Sequence, residues 1–515
     1  MSTRTVKLRH YLAYGSNDFL GAGAMAVIST WILFFYTTFC GLSPAQATII
    51  FAVARMLDAI ASPLIGYISD NFYRTRLGKR FGRRRFFLLI SIPLSMSFAL
   101  MWVNGQHFWY YLATYVFFEV VYALEIIPYE TLAAEMSDNY HVKAKFAGSR
   151  ILFGQTAAIL ATFLPALFET FGARNSPDTF LYLGLCFGLI FMIVITLVHR
   201  FSWERSAEEV DSLHHGEPTG SAIASLKQLY RNLLSTLRIR AFRLHLGMYL
   251  GGYISQDIFN AVFTYFVVFA LGSAVALGSA VAGTANLLTA MYIAQFISVM
   301  VFIPLCMNRH PAPSYRLAAT LYAVAVVILL ALYWTTPPNL SWWIFAPVLL
   351  AGLGRGGLNY IPWSTYNYMA DVDQIVTGRR REGAFAGVMT FVRKTTQAFA
   401  VFVVGQILQA SGFVSGSTQQ TDTVIHTIVI IMVVGTLALL GMGIMVSKRF
   451  HLNKHTHKVL MDEIDRFKHQ PGTAISDENR AIVEDLTGWR YAELWGNNPV
   501  GNGKPTKTQQ TKPTP

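Results

Sequence analysis

From about Tyr14 to about Val446 the chain is a succession of apolar stretches, each long enough to cross a bilayer core, separated by short polar breaks. Inside lipid a backbone amide has no water to bond. Continuous apolar runs of this length must therefore close their hydrogen bonds within themselves, as helices, because barrel strands are shorter and alternate in polarity. The spacing places spans at 14–40, 45–70, 86–104, 108–136, 146–171, 178–199, 243–271, 284–307, 314–335, 342–369, 385–411 and 423–447. The expected fold class is an all-α membrane protein with twelve transmembrane helices. Composition agrees: 13% of residues are charged, about half the share in soluble domains.

A net charge of +13 would suit nucleic acid if it were gathered on one surface, but it is spread over alternate loops. Arg74, Arg76, Lys79, Arg80, Arg83, Arg84 and Arg85 share one short loop. Lys143 and Lys145, the stretch from Arg200 to Arg243, Arg309 with Arg316, and Arg379 to Arg381 occupy later ones. The intervening loops carry no Lys or Arg except Arg174. This is the positive-inside pattern, so the expected partner is a lipid bilayer, a bacterial inner membrane, with both termini cytoplasmic. The first apolar stretch is too long for a cleavable leader and reads as an anchor. Cys40, Cys186 and Cys306 have no metal or disulfide spacing and read as packing residues.

The polar stretch around 201–242 separates an N-terminal half (1–200) from a C-terminal half (243–447), with a tail over 448–515. The halves echo each other. Ile127-Pro128-Tyr129-Glu130-Thr131 precedes Met136-Ser137-Asp138, and Ile361-Pro362-Trp363-Ser364-Thr365 precedes Met369-Ala370-Asp371. After each motif comes a basic loop and a helix that begins with a cation, Arg150 or Arg393-Lys394. Parallel six-helix repeats point to the major facilitator fold, with a site between the halves. In the tail, Leu460, Met461, Ile464 and Phe467 have amphipathic helical spacing. From Asn497 onward the composition points to disorder.

Ionisable residues within spans are costly, so each is a candidate for function. Arg55 and Asp58 lie three apart on one helical face, and Pro63 frees the carbonyl of Ala59 beside Ser62. The group reads either as a site for H+ or Na+ or as a structural ion pair. Glu119, Glu125 and Glu130 share one span, and Glu125 is the most central, a further cation-binding candidate. Asn17 and Asp18, with Trp31 beyond them, offer acceptors and an aromatic platform for sugar hydroxyls; Asp18 reads equally as an interfacial residue. Tyr129, Arg150, Asp257, Trp363 and Lys394 complete the candidate substrate lining, with snorkelling as the bland alternative for the cations. Asp70 with Arg83, and Asp371 with Arg380, stand at cytoplasmic helix ends and form a candidate gate that latches the halves. No nucleophile, phosphate loop or metal motif is present, so neither an enzyme nor a resident cofactor is expected.

Several stretches together resemble the glycoside–pentoside–hexuronide:cation symporter family, the melibiose-permease-like branch of the major facilitators. They are Tyr14-Gly15 with Asp18-Phe19, Tyr36-Thr37 with Gly41-Leu42-Ser43, and Val53-Ala54-Arg55 with Asp58-Ala59 and Pro63. Further on come Ile127-Pro128-Tyr129, Met369-Ala370-Asp371, Thr377-Gly378-Arg379-Arg380-Arg381-Glu382-Gly383, and Lys394 before Ala398-Phe399. The resemblance implies a saccharide symporter in which Asp58 helps bind the coupling cation and Lys394 is linked to that site. The permease carries a second carboxylate where Ser62 stands here, which favours H+ over Na+. Its galactoside-binding Lys-Asp pair corresponds to Gly21-Ala22, which moves the sugar role to Asp18 and Arg150. The runs from Gly15 and from Tyr36 look closest to members taken to import oligogalacturonides. A glycoside or uronic-acid saccharide is thus the expected substrate of a monomeric carrier; a lysolipid carrier and a transporter-like sensor are the other readings.

Overall fold

The computed structural model describes residues 6–137, 140–171, 176–204, 235–272, 279–366, 368–378, 382–469 and 475–498, and every regular element among them is a helix. The N-terminal half contains α1 (Leu8–Thr38), α2 (Pro44–Arg74), α3 (Arg85–Trp102), α4 (Phe108–Met136), α5 (Tyr140–Thr170) and α6 (Asp178–Phe201). The C-terminal half contains α7 (Arg240–Leu271), α8 (Ala280–Arg309), α9 (Pro311–Thr335), α10 (Phe345–Tyr366), α11 (Glu382–Ala410) and α12 (Asp422–Lys448). Two tail helices follow, α13 (Lys454–His469) and α14 (Asp477–Thr487). The central loop falls largely outside the described residues, and α7 already begins at Arg240.

Among the described residues, eleven helical stretches are long and apolar enough to cross a membrane: α1 to α10 and α12. The twelfth expected span, α11, is 29 residues long, roughly 43 Å at 1.5 Å per residue. Its Arg393, Lys394 and Gln397 hold it below the apolarity of the others. It packs directly on α2 across the halves, while α5 packs on α8.

Helix regularity is broken where polar groups gather. In α1, π-helical turns at Phe19–Gly23 and Ile28–Ile32 follow Asp18 and bracket the middle of the span; such turns alter the side-chain register and are common at functional sites. Pro63, Pro128 and Pro362 interrupt the hydrogen-bond ladders of α2, α4 and α10. The core of the N-terminal half is aromatic: Phe98 lies 4.9 Å from Phe118 and Phe35 lies 5.3 Å from Phe180, ring centre to ring centre.

At the end away from the basic loops the halves are pinned together. The hydroxyls of Thr37 and Tyr265 are 2.6 Å apart, the Gly416 amide donates to the Thr37 carbonyl at 3.0 Å, and Ser415 Oγ donates to the Leu42 carbonyl at 2.7 Å. Gly405 lets α11 meet α2 there, since a Cβ would stand 2.0 Å from Thr48 Oγ1. Deeper toward the basic end, the side chains of Arg150 and Glu130 keep 27% and 53% of their exposure.

The tail is docked under the C-terminal half. Arg240 pairs with Asp485, which His451 Nδ1 also approaches at 2.8 Å. Trp495 and Gly496 donate their amides to the carbonyls of Ile375 (2.7 Å) and Val376 (2.9 Å), at the end of the short helix Met369–Thr377. Trp495 stacks on Phe467, with ring centres 5.3 Å apart and planes 5° from parallel.

Candidate substrate and coupling site

Among the described residues, three polar clusters in the interior of the bundle gather the expected site residues. The first joins the halves. On α2, Asp58 is 2% exposed and Arg55 4%. Asp58 Oδ2 lies 3.7 Å from Arg55 Nη1 and 2.6 Å from Nζ of Lys394 on α11. Ser62 Oγ donates to Asp58 Oδ1 at 3.0 Å and accepts from Lys394 at 3.1 Å. Arg55 also reaches Glu119 of α4 at 3.5 Å. The formal charges of Arg55, Lys394, Asp58 and Glu119 sum to zero. With its counter-charge in place, such a group tolerates burial that a lone ion would not.

Glu125, expected at this site, is elsewhere. Six residues along α4 from Glu119, it turns about 240° around the helix axis and meets Asn17 of α1, both side chains being fully buried. The second cluster lies beside it: Arg150 Nε donates to Asp18 Oδ1 at 3.0 Å, and Arg150 Nη2 reaches Glu130 at 3.3 Å. The Arg150 guanidinium stands 5.2 Å over the ring of Tyr129, whose hydroxyl donates to the Tyr14 carbonyl at 2.7 Å. Asn17, Asp18, Tyr129 and Arg150 are thus one neighbourhood. Trp31 is not in it. Its ring is fully buried against Phe180, and Nε1 donates to the Ala161 carbonyl at 3.1 Å, so the expected sugar platform is spent on the core of the N-terminal half.

The third cluster is on the C-terminal half. Arg393 holds both oxygens of Asp257 at 2.5 and 2.8 Å, and Gln397 donates to the same carboxylate at 3.0 Å. Arg393 stands 5.1 Å over the ring of Tyr253, and Trp363 Nε1 donates to the Tyr253 hydroxyl at 3.0 Å. Trp363 is 42% exposed while Asp257 is only 5% exposed, so the indole is open and the ion pair beside the Tyr253 ring is largely buried. A small cavity of about 20 Å³ is lined by Ile28, Ser29, Phe51, Asp257 and Gln397, between the halves. That volume fits about one water molecule and is far too small for a sugar. One residue in this half escaped the reading of the sequence: Arg355 of α10, 2% exposed. Its signal was available, an arginine in the middle of an apolar stretch.

The candidate gate is only partly what the sequence suggested. Arg84 Nη2 donates to Asp70 at 2.8 Å, and both Arg83 and Arg84 pair with Glu135. Glu204 accepts from the amides of Arg83 (2.7 Å) and Arg84 (2.8 Å), a carboxylate at the start of α3. Among the described residues these contacts tie the end of α2 and the start of α3 to α4 and to Glu204, at the beginning of the central stretch. Asp371 faces His457 of the tail at 2.9 Å. Arg380 lies outside the described residues.

A profile for MFS/sugar transport proteins matches residues 13–454. The chain is 23% identical over 482 residues to a glucuronide carrier protein homolog of Escherichia coli (strain K12), covering 91% of this chain and 98% of the relative. It is 24% identical over 486 residues to an isoprimeverose transporter of Lactiplantibacillus pentosus, covering 91% and 93%. Among solved structures a nucleoside transporter superposes with a TM-score of 0.58 at 13% identity, over 86% of this chain and 98% of that one.

Proposed function

The chain belongs to the MFS/sugar transport protein family, as a symporter of the glycoside–pentoside–hexuronide type, and from that premise we propose that it couples H+ entry to the uptake of a glycoside or uronic-acid saccharide. One observation carries the coupling: Lys394 of the C-terminal half sits 2.6 Å from Asp58 of the N-terminal half. An ammonium already fills the position that a coupling cation would take. Na+ would have to displace it and then find oxygen ligands, of which Asp58 and Ser62 are the nearest. A proton needs only one lone pair on Asp58. Protonation cancels the attraction to Lys394 and so loosens a tie between the halves.

The substrate lies between Asp18, Tyr129 and Arg150 on one side and Tyr253, Trp363 and the Asp257–Arg393 pair on the other. These groups supply the charge-assisted hydrogen bonds and ring faces that sugar hydroxyls and C–H edges take. Proton and saccharide each remove a reason for the halves to stay as they are, and the loaded protein rocks about the fixed site. We place the carrier in a bacterial inner membrane with both termini cytoplasmic, acting as a monomer; no covalent step is required. Adding saccharide to lightly buffered, de-energised cells that express the protein should alkalinise the medium. A panel of transported saccharides that moves no protons rejects the coupling.

A further inference from the structure

Among the described residues five Lys and Arg side chains lie in the middle of the helical bundle, and four are matched. Arg55 has Asp58 and Glu119, Lys394 has Asp58, Arg150 has Asp18 and Glu130, and Arg393 has Asp257. Arg355 is different. Among the described residues no carboxylate comes within 4 Å of it, although only 2% of its surface is exposed. Its neighbours are neutral: Asn260 Oδ1 at 2.9 Å, Gln295 Oε1 at 3.3 Å and Met291 Sδ at 3.6 Å. The guanidinium also stands 5.4 Å over the ring of Tyr292. The nearby carboxylate of Asp257, one turn from Asn260 on α7, is already held by Arg393 and Gln397.

A guanidinium is never neutral at physiological pH. Side-chain amides and ring faces soften its desolvation but do not cancel its charge, and a charge left so within a membrane helix marks a binding position. The place is also built. Gly356 lets α10 press against α8, where a Cβ would stand 2.6 Å from the Gln295 carbonyl. That contact fixes the height of Arg355. Gln295 in turn donates to Gln155 of the N-terminal half at 3.2 Å. A ligand taking the Gln295 amide would therefore exchange a bond between the halves for a bond to itself. Asp257 and Ala261, which flank Asn260 on α7, line the cavity between the halves.

We propose that Arg355, with Asn260 and Gln295, is the subsite for an anionic substituent of the substrate, a carboxylate or sulfonate carried on the sugar ring. This inference rests on the saccharide reading above and narrows it. The bidentate fork suits a planar or tetrahedral oxyanion, and the two amides can turn their N–H groups toward it. Arg150 is then a sugar-positioning residue already neutralised by Asp18 and Glu130, and the acid is read on the opposite half. Proton coupling gains a consequence: one H+ with one monovalent sugar acid moves no net charge.

The test uses full-length protein in proteoliposomes and matched pairs, methyl glucuronide against methyl glucoside and digalacturonate against galactobiose. Binding and counterflow are measured for wild type, Arg355→Gln and Arg355→Lys. The wild type should prefer the acid of a pair. Arg355→Gln should weaken the acid roughly 10- to 100-fold, the size of a lost charged hydrogen-bond pair, and leave the neutral sugar within about twofold; Arg355→Lys should recover part of the loss. Equal binding of acid and neutral sugar by wild type, or an equal loss of both in Arg355→Gln, overturns the subsite while leaving the transporter reading intact. Should Arg355→Gln fail to fold, the wild-type ratio and Arg355→Lys decide alone. Transport of no saccharide in the panel rejects the underlying function instead.

Discussion

Replacing Asp58 by Asn keeps the shape of the side chain and an acceptor for Ser62, and removes one charge from a group of four. Lys394 loses its 2.6 Å partner while its side chain is only 15% exposed, and Arg55 keeps Glu119. Breaking one partner of a buried pair costs about 3–5 kcal/mol; the partial exposure of Lys394 and the surviving Arg55–Glu119 contact place this case near the lower end. The functional loss is larger. With one proton per cycle, a membrane potential of 100 mV is equivalent to about 2.3 kcal/mol per charge, enough to hold a neutral saccharide at roughly 50-fold accumulation. In Asp58→Asn the accumulation ratio should fall to one while counterflow of labelled sugar continues, because the sugar-binding groups lie outside this group of four. Proteoliposomes with a valinomycin-set potential and an imposed pH gradient measure both quantities on one preparation. Adding Lys394→Gln to Asp58→Asn should restore thermal stability, since no orphaned ammonium remains, without restoring accumulation. Uncoupler-sensitive accumulation above one in Asp58→Asn would refute the proton site, and additive stability losses in the double variant would refute the pairing.

Replacing Na+ by K+ at fixed pH should leave uptake unchanged, whereas Ser62→Asp, which adds a second carboxylate beside Asp58, should make uptake respond to Na+; strict Na+ dependence of the wild type contradicts the proton reading. Tyr253→Phe removes the acceptor of the Trp363 indole and should raise the half-saturation concentration for sugar several-fold while leaving the proton-to-sugar ratio alone; a changed ratio in flux measurements would place Tyr253 in coupling instead. In the tail, Glu484 accepts from the Tyr491 amide at 2.7 Å and from Arg480 at 3.2 Å, which hold its carboxyl below the usual range, the amide bond foremost. A depressed folded pKa stabilises the docked tail above the ordinary carboxylate range and is lost as pH falls through and below it. The acid transition of Trp489 and Trp495 fluorescence should therefore be less steep in Glu484→Gln, and identical profiles would remove Glu484 from docking.

The span pattern was legible because lipid imposes continuous apolar runs, and only α11 is marginal, for the same reason that it matters: Arg393, Lys394 and Gln397 face the site. Arg55 with Asp58 was visible as a same-face pair. Partners on different helices were not, since periodicity says nothing of which helix lies opposite: Asp257 with Arg393 and Asp58 with Lys394 are pairings made by the packing of whole halves. Adjacent positions 393 and 394 point about 100° apart on a helix, and so one basic dipeptide serves two clusters. Glu125 was placed by depth alone, and depth does not give azimuth. Trp31 was read for its chemistry when its neighbours, Phe34 and Phe35, already marked a packed aromatic core. At the relay of Asp70 and Arg83, loop charge shows the membrane side and not the partner, so the pairing with Glu135 and the Glu204 carboxylate on the α3 amides could not be read ahead. Arg355 went unnoticed among glycines that should have drawn the eye to a close helix contact.

The docked tail turns the C-terminal half into something that can be watched. Its anchors, from Asp485 to Arg240 and from Trp495 to Ile375, all reach the same half, so α13 and α14 are carried as a rigid outrigger when that half swings. Lys468 on the tail and Lys79 in the basic loop are both exposed, and the natural cysteines, Cys40, Cys186 and Cys306, are at least partly buried. Spin labels on cysteines at 468 and 79 would read the alternation as a change in separation, with no label near the sugar or the proton.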